Sequence, residues 1–145
     1  MITIDASVLV AAGSPEDPAH EVATAFLEVV GDRGLVCHQP TLSVVEVAAA
    51  IGRRTGREDL AADASAALLA MPGLVLHPLD VEASAEAASL AARLRLRAAD
   101  AVYAAIAVRH DAALVTLDDE ILVRSVVIVD AVSPAGWLDR QPERR

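Results

Sequence analysis

The sequence predicts a three-layer α/β/α domain built on a central parallel five-stranded sheet. Three observations lead there. Short runs rich in β-branched residues alternate with longer Ala- and Leu-rich segments at helical spacing, the signature of successive βαβ units. The 145 residues are 54% apolar and 23% charged, which is enough for one sizeable core and too apolar for a disordered chain. Chain breakers gather at a few points, Pro40, Pro72-Gly73, Pro78 and Pro134, where the pattern changes.

The five expected strands are 2–5, 35–37, 74–76, 113–116 and 126–130. The stretches near 18–31, 41–55, 58–71, 80–96 and 98–110 contain few breakers and suit helices. Right-handed crossovers place such helices on both faces of the sheet. One domain is expected over 1–138, followed by a frayed polar tail at 139–145.

Composition removes several function classes. Arginine supplies all 12 basic residues, lysine and asparagine are absent, and the net charge is −9. That balance argues against a nucleic-acid coat protein or a basic membrane-surface binder, so any polyanion must be met locally. With Cys37 the only cysteine, neither a disulfide framework nor a cysteine-built zinc site is available. The uncharged run 64–79 is too short to span a bilayer, and the first five residues lack the basic start of a signal peptide. A cytoplasmic protein with no membrane partner is expected.

The informative residues are acids on apolar backgrounds. Asp5 is the only charge in the first 15 residues, Glu46 the only one from Thr41 to Gly52, and Asp100 the only one between Arg97 and Arg109. A carboxylate in such surroundings loses hydration and must be protonated, paired or bound to metal. In a parallel sheet the carboxyl ends of strands and the amino ends of the following helices share one edge. Asp5 ends the first strand, Glu46 opens the helix after the second, and Asp118 follows the fourth. Carboxylates converging there without lysine call for a cation, and oxygen ligands select Mg²⁺ or Mn²⁺. Ser7 and Thr116 lie close enough in sequence to orient waters. Taken singly, Asp5 could cap a helix beginning near Ser7, Asp100 could favour a helix dipole, and Asp118 could be a turn residue.

Ile4-Asp5-Ala6-Ser7, Val45-Glu46-Val47, Leu96-Arg97-Ala98-Ala99-Asp100-Ala101 and Leu114-Val115-Thr116-Leu117-Asp118 resemble, in order and spacing, the acidic motifs of PIN-domain ribonucleases, and the chain is similar to VapC-type toxins. The resemblance spans residues 1 to about 138. It implies a Mg²⁺- or Mn²⁺-dependent endoribonuclease whose catalytic acids are Asp5, Glu46, Asp100 and Asp118, with Asp118 preferred over its neighbour Asp119. Asp5, Asp100 and Asp118 would hold the metal. It further implies an RNA substrate cut to 5′-phosphate and 3′-hydroxyl ends, a small cognate antitoxin and a homodimer. Arg93 and Arg97, on one helical face if that helix continues, are candidate RNA contacts.

Two other phosphate-handling folds fit less well. A haloacid-dehalogenase-like phosphatase wants a second aspartate where Ser7 stands, and a phospho-receiver domain wants a lysine after the fifth strand, where the chain has Asp130. A non-catalytic α/β interaction module would show no metal dependence. His20, His38, His77 and His110 are far apart in sequence and read as separate exposed loop residues, with the active edge as the alternative place for His38 and His77, which follow the second and third strands. Cys37 reads as a small hydrophobe, and Trp137 as a packing anchor.

Overall fold

The computed structural model describes residues 1–141. In chain order the elements are β1 (Ile2–Ile4), α1 (Ala6–Ala12), α2 (His20–Asp32), β2 (Cys37–Pro40), α3 (Leu42–Thr55), α4 (Glu58–Leu69), β3 (Leu74–His77), α5 (Val81–Leu94), α6 (Ala98–Arg109), β4 (Ala113–Val115), α7 (Asp119–Arg124), β5 (Ala131–Val132) and α8 (Pro134–Asp139). The strands run in the order β3-β2-β1-β4-β5 and all pairings are parallel. From β1 the chain therefore builds first to one side and then, after β3, returns to the other. The crevice at the carboxyl ends of β1 and β4 lies at this reversal, where open sheets bind ligands.

β1 and β4 are covered on both faces, with Ile2, Thr3, Ile4, Leu114 and Val115 all buried, so neither strand shows an alternation of inside and outside residues. On one face Ile2, Ile4, Val8, Phe26 and Trp137 form a core joining β1, α1, α2 and α8. Trp137 meets Phe26 edge to face, with ring centroids 5.1 Å apart at 87°, as the packing anchor expected from sequence. On the other face α6 is buried continuously from Asp100 to Ala107, packed against Leu114, Ile121 and α5. Its apolar character all round is the pattern of a helix enclosed by its neighbours, and alanine lets those neighbours approach closely. A smaller cluster of Val10, Val47, Ile51 and Leu68 joins α1 to the α3–α4 pair.

Two expectations are corrected. The fifth strand is not 126–130 but Ala131–Val132, paired with Leu114 and Val115. The valine-rich run before it turns, with Ile128 and Val129 N–H both donating to the Ser125 carbonyl, and leaves Val126 and Val127 exposed. β-Branched composition favoured a strand there, but α7 (like α8, without counterpart in the sequence reading) places the run outside the sheet. The frayed tail is corrected over 139–141 alone: α8 reaches Asp139, Arg140 pairs with Asp130 at 2.8 Å, and Gln141 accepts from Arg33 at 2.6 Å. Residues 142–145 lie outside the described residues.

Gly73 sets the entry into β3. Its φ is +75°, and a Cβ there would overlap the Leu35 carbonyl oxygen, while its own carbonyl accepts the Cys37 N–H at 2.9 Å. Gly73→Ala is expected to lower unfolding free energy by at least about 1–3 kcal/mol, read as a reduced denaturation midpoint with unchanged slope.

Candidate active site

Asp5 follows β1 and caps α1. Its Oδ2 accepts the Ser7 N–H at 3.3 Å, the Ser7 hydroxyl, and the Thr116 hydroxyl at 3.0 Å. Both hydroxyls also accept, Ser7 Oγ from Leu117 N–H at 3.1 Å and Thr116 Oγ1 from Asp118 N–H at 3.0 Å. Each is thus held in one orientation, with its proton aimed at Asp5. Oδ1 receives no donor among the described residues. Burial raises the Asp5 carboxyl above its ordinary range against these hydrogen bonds, and the nearby Asp100 charge adds to the rise.

Asp100 sits in the first turn of α6, 7% exposed. The antiparallel run of α6 along the sheet brings its amino end to the carboxyl edge of the strands, a step that spacing alone does not supply. Arg97, which precedes α6, spans two acids: its Nε donates to Asp100 Oδ2 at 2.8 Å, and its terminal nitrogen pairs with Asp118 Oδ2. Asp118 Oδ1 caps α7 through the N–H groups of Glu120, at 2.8 Å, and Ile121. Partial burial opposes ionisation of Asp118, but the Ile121 N–H and Arg97 outweigh it and hold the carboxyl below its usual value. Asp119 is exposed and starts α7, so Asp118 is the acid that faces Asp100 across Arg97. The capping readings of Asp5 and Asp118 are therefore correct as well.

Glu46 lies in the second turn of α3, half-buried, and its Oε2 accepts the Tyr103 hydroxyl at 2.7 Å. Burial raises its pKa, and Asp5 and Asp100 raise it further against the Tyr103 hydrogen bond. Tyr103 is fully buried in α6, and its own ionisation is suppressed by that burial and by the Glu46 charge. The four acids thus share one edge, Asp5 from β1, Glu46 from α3, Asp100 from α6 and Asp118 from the end of β4. Arg97 is the cation among them. Among the described residues no three of these acids bring ligand oxygens within 4.8 Å of one another, which suits a hydrated hard ion held by one or two carboxylates directly.

A PIN-domain family model matches residues 2–125. The chain belongs to the PIN-domain family. This PIN domain has no significant sequence match to a curated protein. Its fold is shared with solved structures at low identity. VapC20 of Mycobacterium tuberculosis, described as a sarcin–ricin loop cleaving toxin, is 18% identical over 90% of this chain and 98% of the other, with a TM-score of 0.75. VapBC2 of Rickettsia felis, solved with a DNA fragment from its promoter, is 14% identical over 92% and 97%, with a TM-score of 0.65. FitAcB of Neisseria gonorrhoeae is 19% identical over 93% and 99%, with a TM-score of 0.69. PIN nucleases generally use divalent metal ions.

Two expectations about side chains change. Arg93 and Arg97 do not share a helical face, because α5 ends at Leu94 and Arg95 takes the left-handed conformation with φ 56°. Arg93 stays exposed at that end, while Arg97 turns into the acids of the PIN edge. His38, His77 and His110 are not separate exposed loop residues but half-buried rings in mutual contact, His38 stacked on His110 with His77 tilted against both. Cys37 is buried and its thiol is pushed up to about 12 by that burial, which matches the inert hydrophobe expected. Tyr103 was missed, although the sole tyrosine in an otherwise apolar helix carries a hydroxyl that requires a partner.

The raised carboxyl of Asp5 has a stability consequence. Between its unfolded-state value near 3.8 and its higher folded value, the native state binds more protons than the unfolded chain, so stability falls as pH rises through that window. Asp5→Asn is expected to raise the melting temperature of the metal-free PIN domain at pH 7. The gain should shrink towards zero as pH approaches 3.8, measured by parallel melts in chelator.

Proposed function

We propose that the chain is a metal-dependent endoribonuclease toxin of the VapC type, hydrolysing phosphodiester bonds of RNA and neutralised by a small antitoxin in the cytoplasm. The observation that carries the reading is the meeting of four acids at the β1–β4 edge, with Asp5 Oδ1 unclaimed and lysine absent from the chain. The donor set is all oxygen and fits Mg²⁺ or Mn²⁺, with Asp5, Asp100 and Asp118 as the holding residues. When bound, such an ion polarises a phosphoryl oxygen and lowers the pKa of a coordinated water.

The chain's own residues supply the rest. Ser7 and Thr116 fix the Asp5 carboxylate through Oδ2 so that Oδ1 faces the edge. Tyr103 holds Glu46 through Oε2, leaving Oε1 to take the proton of the attacking water, and the raised pKa makes that carboxylate a better base than a solvated one. Arg97, once released by the acids, is placed to meet a substrate phosphate, with the exposed Arg93 close behind in the chain. An acidic surface elsewhere keeps RNA affinity weak without metal.

In a cleavage assay on a labelled RNA hairpin loop, activity is expected with Mg²⁺ or Mn²⁺ and none in excess chelator. Asp5→Asn and Asp100→Asn should each reduce it by about 100-fold or more, the scale of several kcal/mol of charge stabilisation. Undiminished cleavage in chelator, or in both well-folded variants, overturns the reading.

The partners belong to the same proposal. A groove of about 400 Å³ between α1, α2, α3 and α4, lined by Leu9, Leu27, Val47, Leu68 and Met71, is apolar and suits the face of an amphipathic antitoxin helix. Val45, 63% exposed on the stretch 41–52 where Glu46 is the single charge, favours a homodimer. Light scattering at micromolar concentration is expected to give twice the chain mass. A small protein encoded next to this chain should co-purify with it, and excess Mn²⁺ should weaken inhibition if its basic residue occupies the acids.

A further inference from the structure

Away from the acids, three imidazoles meet. His38 lies on β2, His77 ends β3 and His110 caps the carboxyl end of α6. The register pairs His38 with Val75 and Pro40 with His77, so both histidines face the same side of the sheet, beneath α6. The rings of His38 and His110 stack at 4.1 Å and 2°, and His77 packs 4.3 Å from His110 and 5.1 Å from His38. His38 Nδ1 and His77 Nε2 lie 2.9 Å apart and share a hydrogen bond. One ligand nitrogen from each of the three lies within 4.8 Å of the others. His110 Nε2 is buried and has no hydrogen-bond partner.

We propose that His38, His77 and His110 form a binding site for a borderline transition-metal ion of the zinc class, separate from the acidic edge. Zinc–nitrogen bonds of about 2.0–2.1 Å put tetrahedral ligand atoms about 3.4 Å apart, so the trio draws together on an ion once the stacked His38 and His110 rings tilt to aim their in-plane lone pairs at one point. The ion replaces the one proton shared by His38 and His77 and supplies a partner for the orphaned His110 nitrogen. Three imidazoles leave a fourth position for water. Nitrogen donors select Zn²⁺, Co²⁺, Ni²⁺ or Cu²⁺ over the Mg²⁺ favoured by carboxylates, so the two sites sort metals by chemistry.

The electrostatic surroundings permit this. Burial and the neighbouring rings hold His38 and His77 below the ordinary histidine value, which keeps them in the neutral, ligating form. The positive groups nearby are the amino terminus on the His38 side and Arg109 on the His77 side. Arg109 is paired with Glu86 at 2.9 Å, which offsets its repulsion of a cation. The helix from Asp100 to His110 measures about 15 Å at 1.5 Å per residue, so the site cannot share an ion with the acids. Bound metal would tie the β2–β3 half of the sheet to the far end of the helix that carries Asp100 and Tyr103.

The test uses the untagged full-length Asp5→Asn protein, stripped with chelator, so that the result is independent of nuclease activity. Titration with Zn²⁺ is expected to give one equivalent and a higher melting temperature, and Co²⁺ the visible absorption of a tetrahedral nitrogen site. Mg²⁺ should do neither. His77→Phe and His110→Phe keep ring volume and should weaken Zn²⁺ binding by about 100-fold or more, since even partners outside a ligand set are worth about 10–100-fold. His20→Ala, a histidine bonded to the Ala11 carbonyl, should leave binding unchanged. If the Phe variants misfold, Zn²⁺-induced shifts of ring nitrogen resonances in the parent protein decide: shifts at His38, His77 and His110 but not His20 support the site. Absence of stoichiometric binding, or undiminished binding in both Phe variants, overturns it.

Discussion

The architecture of the acidic edge depends on one oxygen. Asp5 Oδ2 gathers the Ser7 and Thr116 hydroxyl protons, and those hydroxyls in turn receive the Leu117 and Asp118 N–H groups. The turn after β1 is thereby fastened to the turn after β4, two segments 111 residues apart in sequence. Such a buried network is favourable only when every member is satisfied, since an orphaned buried group costs about 1–3 kcal/mol. Here the donors are complete, so the carboxylate stays fixed while its second oxygen faces outward. Fixing one oxygen to free the other is how a fold presents a ligand atom without paying for it in loose side chains.

The second constraint is α6. A helix buried on every side has no freedom to rotate, and this one carries Asp100 and Tyr103 on its edge-facing turns. Tyr103 reaches across to Glu46 on α3, so helices on opposite faces of the sheet are joined through a hydrogen bond at the site. Alanine at 101, 104, 105 and 107 is what lets the surrounding elements close around the helix. Larger side chains there would force the acids apart by overpacking.

How much of this was legible follows from what each inference needs. Asp5, Glu46 and Asp100 stood out because an isolated acid on an apolar background is costly unless used, and the parallel topology fixes which strand ends share an edge. The principal helices followed from spacing in the same way. The 126–130 run misled because valine content reports a preference for pleated, half-buried surroundings, and these valines border a turn on the surface. The role of Arg97 depended on α5 stopping at Leu94, a boundary set by the left-handed Arg95, a residue type that gives no signal for that conformation. The histidine trio was beyond reach because its members are joined by the β2–β3 register and by the length of α6.

Arg97 explains how so acidic an edge persists without lysine. Two ionised carboxylates on one arginine leave little net repulsion, and the pair geometry holds the guanidinium firmly protonated. Yet the arginine side chain is 64% exposed, so solvent screens its hold on the more buried Asp100 and Asp118. Its attachment is therefore strong enough to order the loop before α6 and weak enough to yield. A doubly charged ion, or a basic residue brought by a partner with its own buried contacts, would compete for Asp100 and Asp118 against a single mobile charge. Asp5 stands apart from that exchange, since hydroxyls and a backbone N–H hold it and no arginine needs to leave. The edge thus combines one preorganised carboxylate with two that are released by moving one side chain.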